Sequence, residues 1–251
     1  TTSGVENNET DLRGTNTVNT SGGDIILAGG LDSNSDGIPD GYAYRGYDDT
    51  IRAADVGENV ALNSGGGDII IKGQGSGVGV GFTGSGAVVN SASGALTING
   101  LSTSNHGVWI SNNLDVNTAG GDLSITGNST SGQGIDFEGN GIKLISGTGA
   151  IDIQGNSSSN YGIHVSDNLV IESASSSQTA ISMTATSTST HGIYVGSGTA
   201  NKNILIQSTS TTANKGDIVI QGTTSDDIGV GLDFWGSGSK TQILSAAGDI
   251  S

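Results

Sequence analysis

Apolar and polar residues alternate along this chain in short runs, and the runs return at a regular spacing. A segment that reads Gly-Asp-Ile-x-Ile, or a close variant, opens each repeat. Its first apolar residue falls at positions 25, 69, 96, 123, 151, 181, 218 and 250, so the shortest step is 27 residues and occurs twice. A fixed period in this range is typical of proteins built from stacked repeats.

Each repeat contains three short strands. In the repeat that begins at residue 94, apolar and polar residues alternate at 96–98, 108–110 and 114–116. Alternation with period two marks strands with one buried face, and the Gly, Ser, Thr and Asn residues between the runs form turns. Stacked coils pair each strand with its equivalents about 4.8 Å above and below. The sequence therefore predicts an all-β fold, a right-handed parallel β-helix with about 27 residues and three strands per coil.

The expected core is narrow and mostly aliphatic. The first and third strands of each coil point Ile, Leu, Val or Met inward, and the second strand adds Phe82, Phe137 and Phe234. The 44 glycines are expected at the corners of the coils, where Gly adopts a positive φ at little steric cost. Because the pattern runs through the whole chain, residues 1–251 are predicted to form a single β-helix domain.

One turn position is occupied by Asn in four successive repeats, at Asn19, Asn63, Asn90 and Asn117. Stacked Asn side chains form hydrogen-bonded ladders along the axis of cross-stacked β-structures. Asn is also a good turn former in its own right. The sequence alone leaves both interpretations open.

The chain is strongly acidic, with eight Lys and Arg residues against 24 Asp and Glu residues and a formal charge of −16. This excess argues against nucleic acid or an anionic membrane as a partner. The chain has no Cys, so its stability rests on stacking, and no apolar run is long enough to span a bilayer. Since residues 248–251 read as the start of another strand, we expect a longer chain or head-to-tail self-assembly.

Several segments carry a resemblance to a known family. They are the Gly-Gly-Asp-Leu-Ser-Ile-Thr-Gly run at 120–127, the Leu-Asp-Val-Asn-Thr strand at 114–118, and the Gly-Ile-x-Phe/Val strands at 134–137 and 162–165. From about residue 60 to 235 the pattern resembles filamentous haemagglutinin-type exoproteins and related large bacterial adhesins. The resemblance implies a right-handed β-helix, secretion by a Gram-negative cell, and an adhesive or fibre-forming role.

The first step between repeats is longer than the others, at 44 residues, and residues 30–56 are predicted to be a loop insertion. Oxygen-bearing side chains stand there at alternate positions with Gly37 at the sixth, as in the first part of a calcium loop. Ala43 replaces the Glu of an EF-hand, and the run resembles the loops of thrombospondin type 3 repeats instead. The alternative is an acidic surface turn. The predicted ligands of a structural calcium ion are Asp32, Asn34, Asp36, the carbonyl of Ile38, and Asp40.

The second strand of each coil presents one residue outward. Trp109 and Tyr194 are candidate sugar-binding residues, since their rings stack on sugars, and Asp136 with His164 has the composition of an acid–base pair. An ordinary mixed solvent face is the alternative, because adjacent coils place any two such residues about 4.8 Å apart. The outward residues are Gly81, Trp109, Asp136, His164, Tyr194 and Asp233.

His106 and His191 each stand directly before the Gly that opens a second strand. Several coils separate the two histidines, so a shared metal ion is not expected. We interpret them as turn residues whose hydrogen bonds are satisfied locally.

The pattern favours an extracellular structural or adhesive rod or fibre segment of a bacterial surface or secreted protein, with host or surface glycans as candidate partners. We do not expect an enzyme, because the eight cationic residues are scattered over different coils. Polysaccharide lyases and hydrolases need convergent carboxylates, often with cations that stabilise developing charge. A polysaccharide-binding or polysaccharide-degrading protein is the alternative. Ice binding is disfavoured, because the outward residues of the first strands form no regular Thr lattice.

Overall fold

The computed structural model of this chain describes residues 10–29, 33, 40–45, 52–196, 202–225, 229–235 and 239–251. The described residues contain 24 β-strands and no helix, and therefore no apolar helix of the length that crosses a membrane. The strands form three parallel sheets of eight strands each, which the chain visits in turn. The predicted parallel β-helix is confirmed.

Each sheet collects one strand position of the coil. The first sheet contains β3 (Ile25–Leu27), β4 (Ala43–Arg45), β7 (Ile69–Gly75), β10 (Leu96–Ser102), β13 (Leu123–Ser129), β16 (Ile151–Ser157), β19 (Thr179–Ser187) and β22 (Asp217–Thr224). The second contains β1 (Thr10–Leu12), β5 (Arg52–Val56), β8 (Val78–Phe82), β11 (Val108–Ile110), β14 (Ile135–Phe137), β17 (Ile163–Val165), β20 (Ile193–Gly196) and β23 (Leu232–Trp235). The third contains β2 (Thr17–Asn19), β6 (Ala61–Asn63), β9 (Ala87–Asn90), β12 (Leu114–Asn117), β15 (Ile142–Ile145), β18 (Leu169–Ser173), β21 (Asn203–Ser208) and β24 (Lys240–Ser245).

The core forms because the register stacks apolar residues on apolar residues from coil to coil. In the first sheet Ile98, Ile125 and Ile153 are paired in sequence along the axis, and all three are completely buried. Phe137 from the second sheet is also completely buried. Burying one such side chain contributes about 1.5–3 kcal/mol relative to leaving it in water.

Phe234 departs from the predicted core. It pairs with the buried Val195, as the alternation predicts, yet 43% of its surface is exposed. Strand β23 pairs with β20 on one side only within the described part of the chain, so Phe234 lacks a second covering coil. Leu232 on the same strand is half-buried for the same reason.

Many corner glycines serve close packing rather than a positive φ, which corrects the sequence-based explanation for them. A Cβ added to Gly100, near the end of β10, would lie 1.9 Å from the carbonyl oxygen of Gly107. Neither of these two residues has a positive φ. The same contact recurs in the next coil, where a Cβ on Gly127 would lie 2.1 Å from the carbonyl oxygen of Gly134. The second strand can therefore approach the first only because the glycines at this corner carry no side chain.

Where an Asp opens the first strand, its side chain links that coil to the next. Asp68 accepts a hydrogen bond from the backbone N–H of Ala95 at 2.8 Å, and Asp122 accepts one from Ala150 at 2.8 Å. A buried hydroxyl closes the preceding turn, as Ser91 donates to the carbonyl of Gly94 at 2.5 Å. These bonds explain why the Gly-Asp-Ile segment returns in the sequence.

Two members of the predicted Asn column stabilise turns. Asn90 accepts a hydrogen bond from the N–H of Ala92 at 3.1 Å, and Asn117 accepts one from Ala119 at 2.9 Å. Ala92 and Ala119 have φ values of 56° and 53°, so the side-chain bond supports an unusual backbone conformation. Amide ladders occur at other positions, between Asn156 and Asn128 at 2.9 Å and between Asn168 and Asn140 at 2.7 Å.

The predicted insertion interrupts a strand of the first sheet, which then resumes. Strands β3 and β4 both pair with β7, at its beginning and its end. An antiparallel bridge between Gly29 and Gly41 closes the base of the excursion. Residues 43–45 and 52–56, inside the predicted range 30–56, are the regular strands β4 and β5.

Candidate functional site

The chemically reactive side chains of the described chain concentrate on the outer face of the second sheet. Its outward residues pair in register from β1 to β23, and the turns before three of these strands add one residue each. We call this set the second-sheet stripe. Its members are Asp11, Asp55, Gly81, Trp109, Asp136, His164, Tyr194 and Asp233, with His106, Tyr161 and His191 from the turns.

All three histidines of the chain belong to this stripe, and each lies near an aspartate. Nδ1 of His164 is 2.9 Å from Oδ1 of Asp136, and Nε2 of His106 is 3.9 Å from the other oxygen of the same carboxylate. Nε2 of His191 is 3.6 Å from Oδ2 of Asp233. The interpretation of His106 and His191 as turn residues with locally satisfied hydrogen bonds is therefore incomplete, because each also lies near an aspartate of the next coil.

Asp136 lies at the centre of this arrangement, and it is not the solvated residue that the alternation suggests. Although it points away from the core, only 5% of its surface is exposed, because His106 and His164 cover it from neighbouring coils. Burial lowers the pKa of His106, against the opposing attraction of Asp136 and Glu138. The neutral imidazole is thus favoured at this position despite the nearby carboxylate.

Aromatic rings stack along the axis in the coils that follow. The ring centroids of Tyr161 and Tyr194 are 4.8 Å apart with an interplanar angle of 18°. His164 stacks on Tyr194 at 5.6 Å, and His191 stacks on Tyr161 at 5.6 Å. Since the ring faces contact one another, the stripe offers hydroxyl and ring-nitrogen edges to a ligand. Burial raises the pKa of Tyr194, so its hydroxyl stays protonated at neutral pH.

An arginine from β5 extends over two coils at the other end of the stripe. The Arg52 side chain fills the space above Gly81, where an added Cβ would lie 2.3 Å from the arginine Cδ. The guanidinium carbon then lies 4.9 Å from the centroid of the Trp109 ring. The indole N–H of Trp109 donates to Glu138 at 2.9 Å. Trp109 is therefore held between a cation on its face and a carboxylate at its edge.

Asp55 anchors this arginine. Its carboxylate is 3.6 Å from Arg52 and 3.6 Å from Arg13, and it accepts a hydrogen bond from the Thr83 hydroxyl at 2.9 Å. Only 2% of Asp55 is exposed, and burial raises the pKa of this carboxyl even against the attraction of Arg52. The stripe borders a depression here of about 270 Å³, lined in part by these four residues.

Apart from Asp11, which pairs directly with Asp55 on the adjacent coil, the carboxylates on the strands of the stripe are widely spaced. Asp55, Asp136 and Asp233 follow one another at intervals of three coils, which corresponds to about 14 Å at the usual strand spacing. The paired carboxylates of glycosidases lie about 5–9.5 Å apart. This spacing supports a binding surface over a hydrolytic pair on these three residues.

Both predicted sugar-binding residues, Trp109 and Tyr194, lie on the stripe, three coils apart. Their ring faces already contact Arg52 and Tyr161, so sugar stacking on an open face stays a prediction. Sequence reasoning missed Arg52, Glu138 and Tyr161. The sequence contained a signal for Tyr161, which is its position. Like His106 and His191, it directly precedes the Gly of a second strand.

The predicted calcium ligands Asp32, Asn34, Asp36 and Ile38 lie outside the described residues. Asp40 is described, and its Oδ2 accepts hydrogen bonds from the N–H of Ser33 at 2.8 Å and from the Ser33 hydroxyl. These bonds lower the pKa of Asp40, so it is ionised at neutral pH. The described residues contain no cluster of three metal-binding side chains, and calcium binding by the whole loop stays a prediction.

Comparison with family models, with curated proteins and with solved structures found no match to this chain.

Proposed function

We propose that this chain is a structural and adhesive rod that works outside the cell, and that the second-sheet stripe is its glycan-binding face. The observation that supports this proposal is the continuity of the stripe over eight in-register coils. A linear array of polar and aromatic groups parallel to the rod axis suits a linear polymer. The resemblance to haemagglutinin-type adhesins supports an extracellular, Gram-negative origin.

The edges of the stacked rings supply the groups that bind a glycan. Tyr hydroxyls both donate and accept hydrogen bonds, imidazole nitrogens do either, and ionised carboxylates accept. Such groups at about 4.8 Å intervals match the dense hydroxyl groups of a sugar chain. The formal charge of −16 disfavours acidic glycans, so we propose neutral glycans as the ligand class.

Removing one hydroxyl tests this mode of binding without disturbing the stack. Tyr194→Phe and Tyr161→Phe retain the rings, and each loses one hydrogen bond worth about 1 kcal/mol, or roughly fivefold in affinity. Tyr44→Phe is the matched control, because Tyr44 is 37% exposed and lies on the first sheet. Binding is measured on an array of neutral and acidic glycans. Retention of no glycan, or equal binding by all variants, would contradict the proposal.

A polysaccharide-degrading enzyme is the second candidate, and one contact favours it. The 2.9 Å contact between Asp136 and His164 has the geometry in which a carboxylate orients an imidazole as a general base. The test incubates the protein with neutral polysaccharides and measures new chain ends, with Asp136→Asn as the control. Depolymerisation that depends on Asp136 would replace the binding proposal by this one.

A further inference from the structure

The two ends of the second-sheet stripe balance their charges by different means. Toward β1, the carboxylates Asp11 and Asp55 contact two arginines, Arg13 and Arg52, at 2.9–3.6 Å. Arginine is charged at every relevant pH, so this end has a fixed balance. The strands β11, β14, β17, β20 and β23 contain neither Lys nor Arg, although the guanidinium of Arg52 reaches the Trp109 ring on β11 from β5.

The second end carries three carboxylates and three imidazoles instead. Two carboxylates, Asp136 and Asp233, belong to the stripe, and the third is Glu138, which directly follows β14. The imidazoles are all the histidines of the chain. Histidine is the side chain whose charge ordinarily changes between pH 5 and 8. This end is therefore negative when the imidazoles are neutral, and its formal charge cancels when all three are protonated.

The groups lie close enough to act as one unit around His106. Its Nε2 is 3.9 Å from Asp136, its ring is 5.8 Å from Trp109, and Glu138 holds the edge of the same indole. The pKa of His106 is lowered by burial, raised by Asp136 and Glu138, and lowered by His164. The charges of Asp136, Glu138 and His164 therefore each alter the pKa of His106.

His191 and Asp233 form a separate imidazole–carboxylate pair at this end of the stripe. Their atoms are 3.6 Å apart, and the neighbouring groups on β17 and β20 are His164, Tyr161 and Tyr194. The stacked tyrosines separate this pair from Asp136. Asp233 is partly exposed, so its charge acts on a ligand at the surface.

We propose that the histidine–carboxylate end of the second-sheet stripe is a proton-controlled selector, which excludes anionic glycans at neutral pH and admits them when its three imidazoles are protonated. This inference rests on the proposed glycan-binding function and names how that site is regulated. An anionic chain laid on the stripe meets the exposed carboxylate of Glu138 and the partly exposed carboxylate of Asp233 while the imidazoles are neutral. The same chain meets a surface of balanced formal charge once the three imidazoles are protonated. A neutral glycan is affected much less by this change.

The first test uses the protein alone and follows the titration of the His106 imidazole by NMR. Asp136→Asn and Glu138→Gln remove negative charge and move the His106 titration to lower pH, while His164→Gln moves it to higher pH. Glu138 is exposed, so its variant is not expected to disturb folding. His191→Gln is the control and leaves the His106 titration in place. An unchanged titration in the first three variants would overturn the inference.

The second test measures binding on an array that pairs mannohexaose and galactohexaose with the corresponding hexauronates. The ratio of hexauronate to neutral binding rises by about tenfold between pH 7.5 and pH 5, the lower end of the range for charge-lined sites. The variant His164→Gln/His191→Gln, which retains one of the three imidazoles, loses most of this pH dependence. If the hexamers bind but the ratio of hexauronate to neutral binding does not change with pH, the pH-dependent selector is wrong and the proposed glycan binding stands. Binding of neither hexamer at either pH would refute the proposed function, whatever the His106 titration shows.

Discussion

Replacing Gly107 by Ala should destabilise the coils on which the second-sheet stripe is built. Gly107 stands between His106 and β11, at the corner where the first and second sheets approach each other. An added Cβ would lie 2.4 Å from the backbone nitrogen of Asn128 and 2.7 Å from the carbonyl oxygen of Gly134. Both contacts are with backbone atoms, which cannot rotate away as a side-chain end could.

The size of the effect follows from what must move. Forcing a methyl group into a packed site costs about 1–3 kcal/mol. The Gly134 carbonyl accepts a hydrogen bond from the N–H of Val108 at 3.0 Å, and displacing this strand weakens that bond and a neighbour at about 1 kcal/mol each. We therefore expect Gly107→Ala to lower the free energy of unfolding by about 3–5 kcal/mol.

Gly120→Ala is the matched control. A Cβ at Gly120 would meet its nearest atom, the Thr148 hydroxyl oxygen, at 3.4 Å, and the residue has no positive φ. This variant should be neutral or more stable by about 0.4–1 kcal/mol, because Ala restricts the unfolded chain. Urea unfolding followed by circular dichroism gives both values, and hydrogen exchange shows which coils open. Stabilities within about 1 kcal/mol of each other would refute the close-packing explanation of the corner.

Three further predictions follow from the structure. Ile153→Asp should unfold several coils, because it places an unpaired charge at a completely buried position; a melting profile like that of the parent would contradict the inward assignment. Protein stripped by a chelator should take up calcium in a calorimetric titration, and Asp36→Ala should abolish this uptake while distant coils remain folded; no uptake by the stripped parent would exclude the site. Burial lowers the pKa of His106 in the folded state, so its contribution to stability is present above the unfolded value of about 6.5 and is lost as the pH falls through the folded value. Unfolding midpoints measured from pH 7.5 to 5 should therefore fall less steeply in His106→Gln, and equal slopes would contradict the assignment.

The sequence predicted the coils well because side-chain alternation and the recurring Gly-Asp-Ile segment are local signals. The alternation at 96–98, for example, corresponds to the buried pair Leu96 and Ile98 of β10. The reason for the corner glycines was less accessible. A side chain at Gly100 is excluded by the backbone of Gly107, and a side chain at Gly107 is excluded by the backbone of Asn128 and Gly134. Such contacts appear only when the strands are placed in space.

The binding surface was only partly predictable for a related reason. Register along the axis follows from the repeat, so the alignment of Trp109, Asp136, His164 and Tyr194 could be derived from the sequence. The burial of Asp136 could not, because it depends on how the imidazoles of the adjacent coils fold over it. The path of Arg52 across Gly81 to Trp109 likewise depends on a side-chain conformation that no spacing rule specifies.

The same in-register stacking that stabilises the rod also determines what its surface can do. Each coil contributes one outward side chain to the stripe at about 4.8 Å from the next, so substitutions in a single coil change one position of a linear array. Gly81 shows how an absent side chain matters, since its empty position is the space through which Arg52 reaches Trp109. Histidines in place of arginines at the other end convert a fixed charge balance into one that depends on pH. The fold thus supplies regular spacing, and the identities of a few outward residues supply the chemistry.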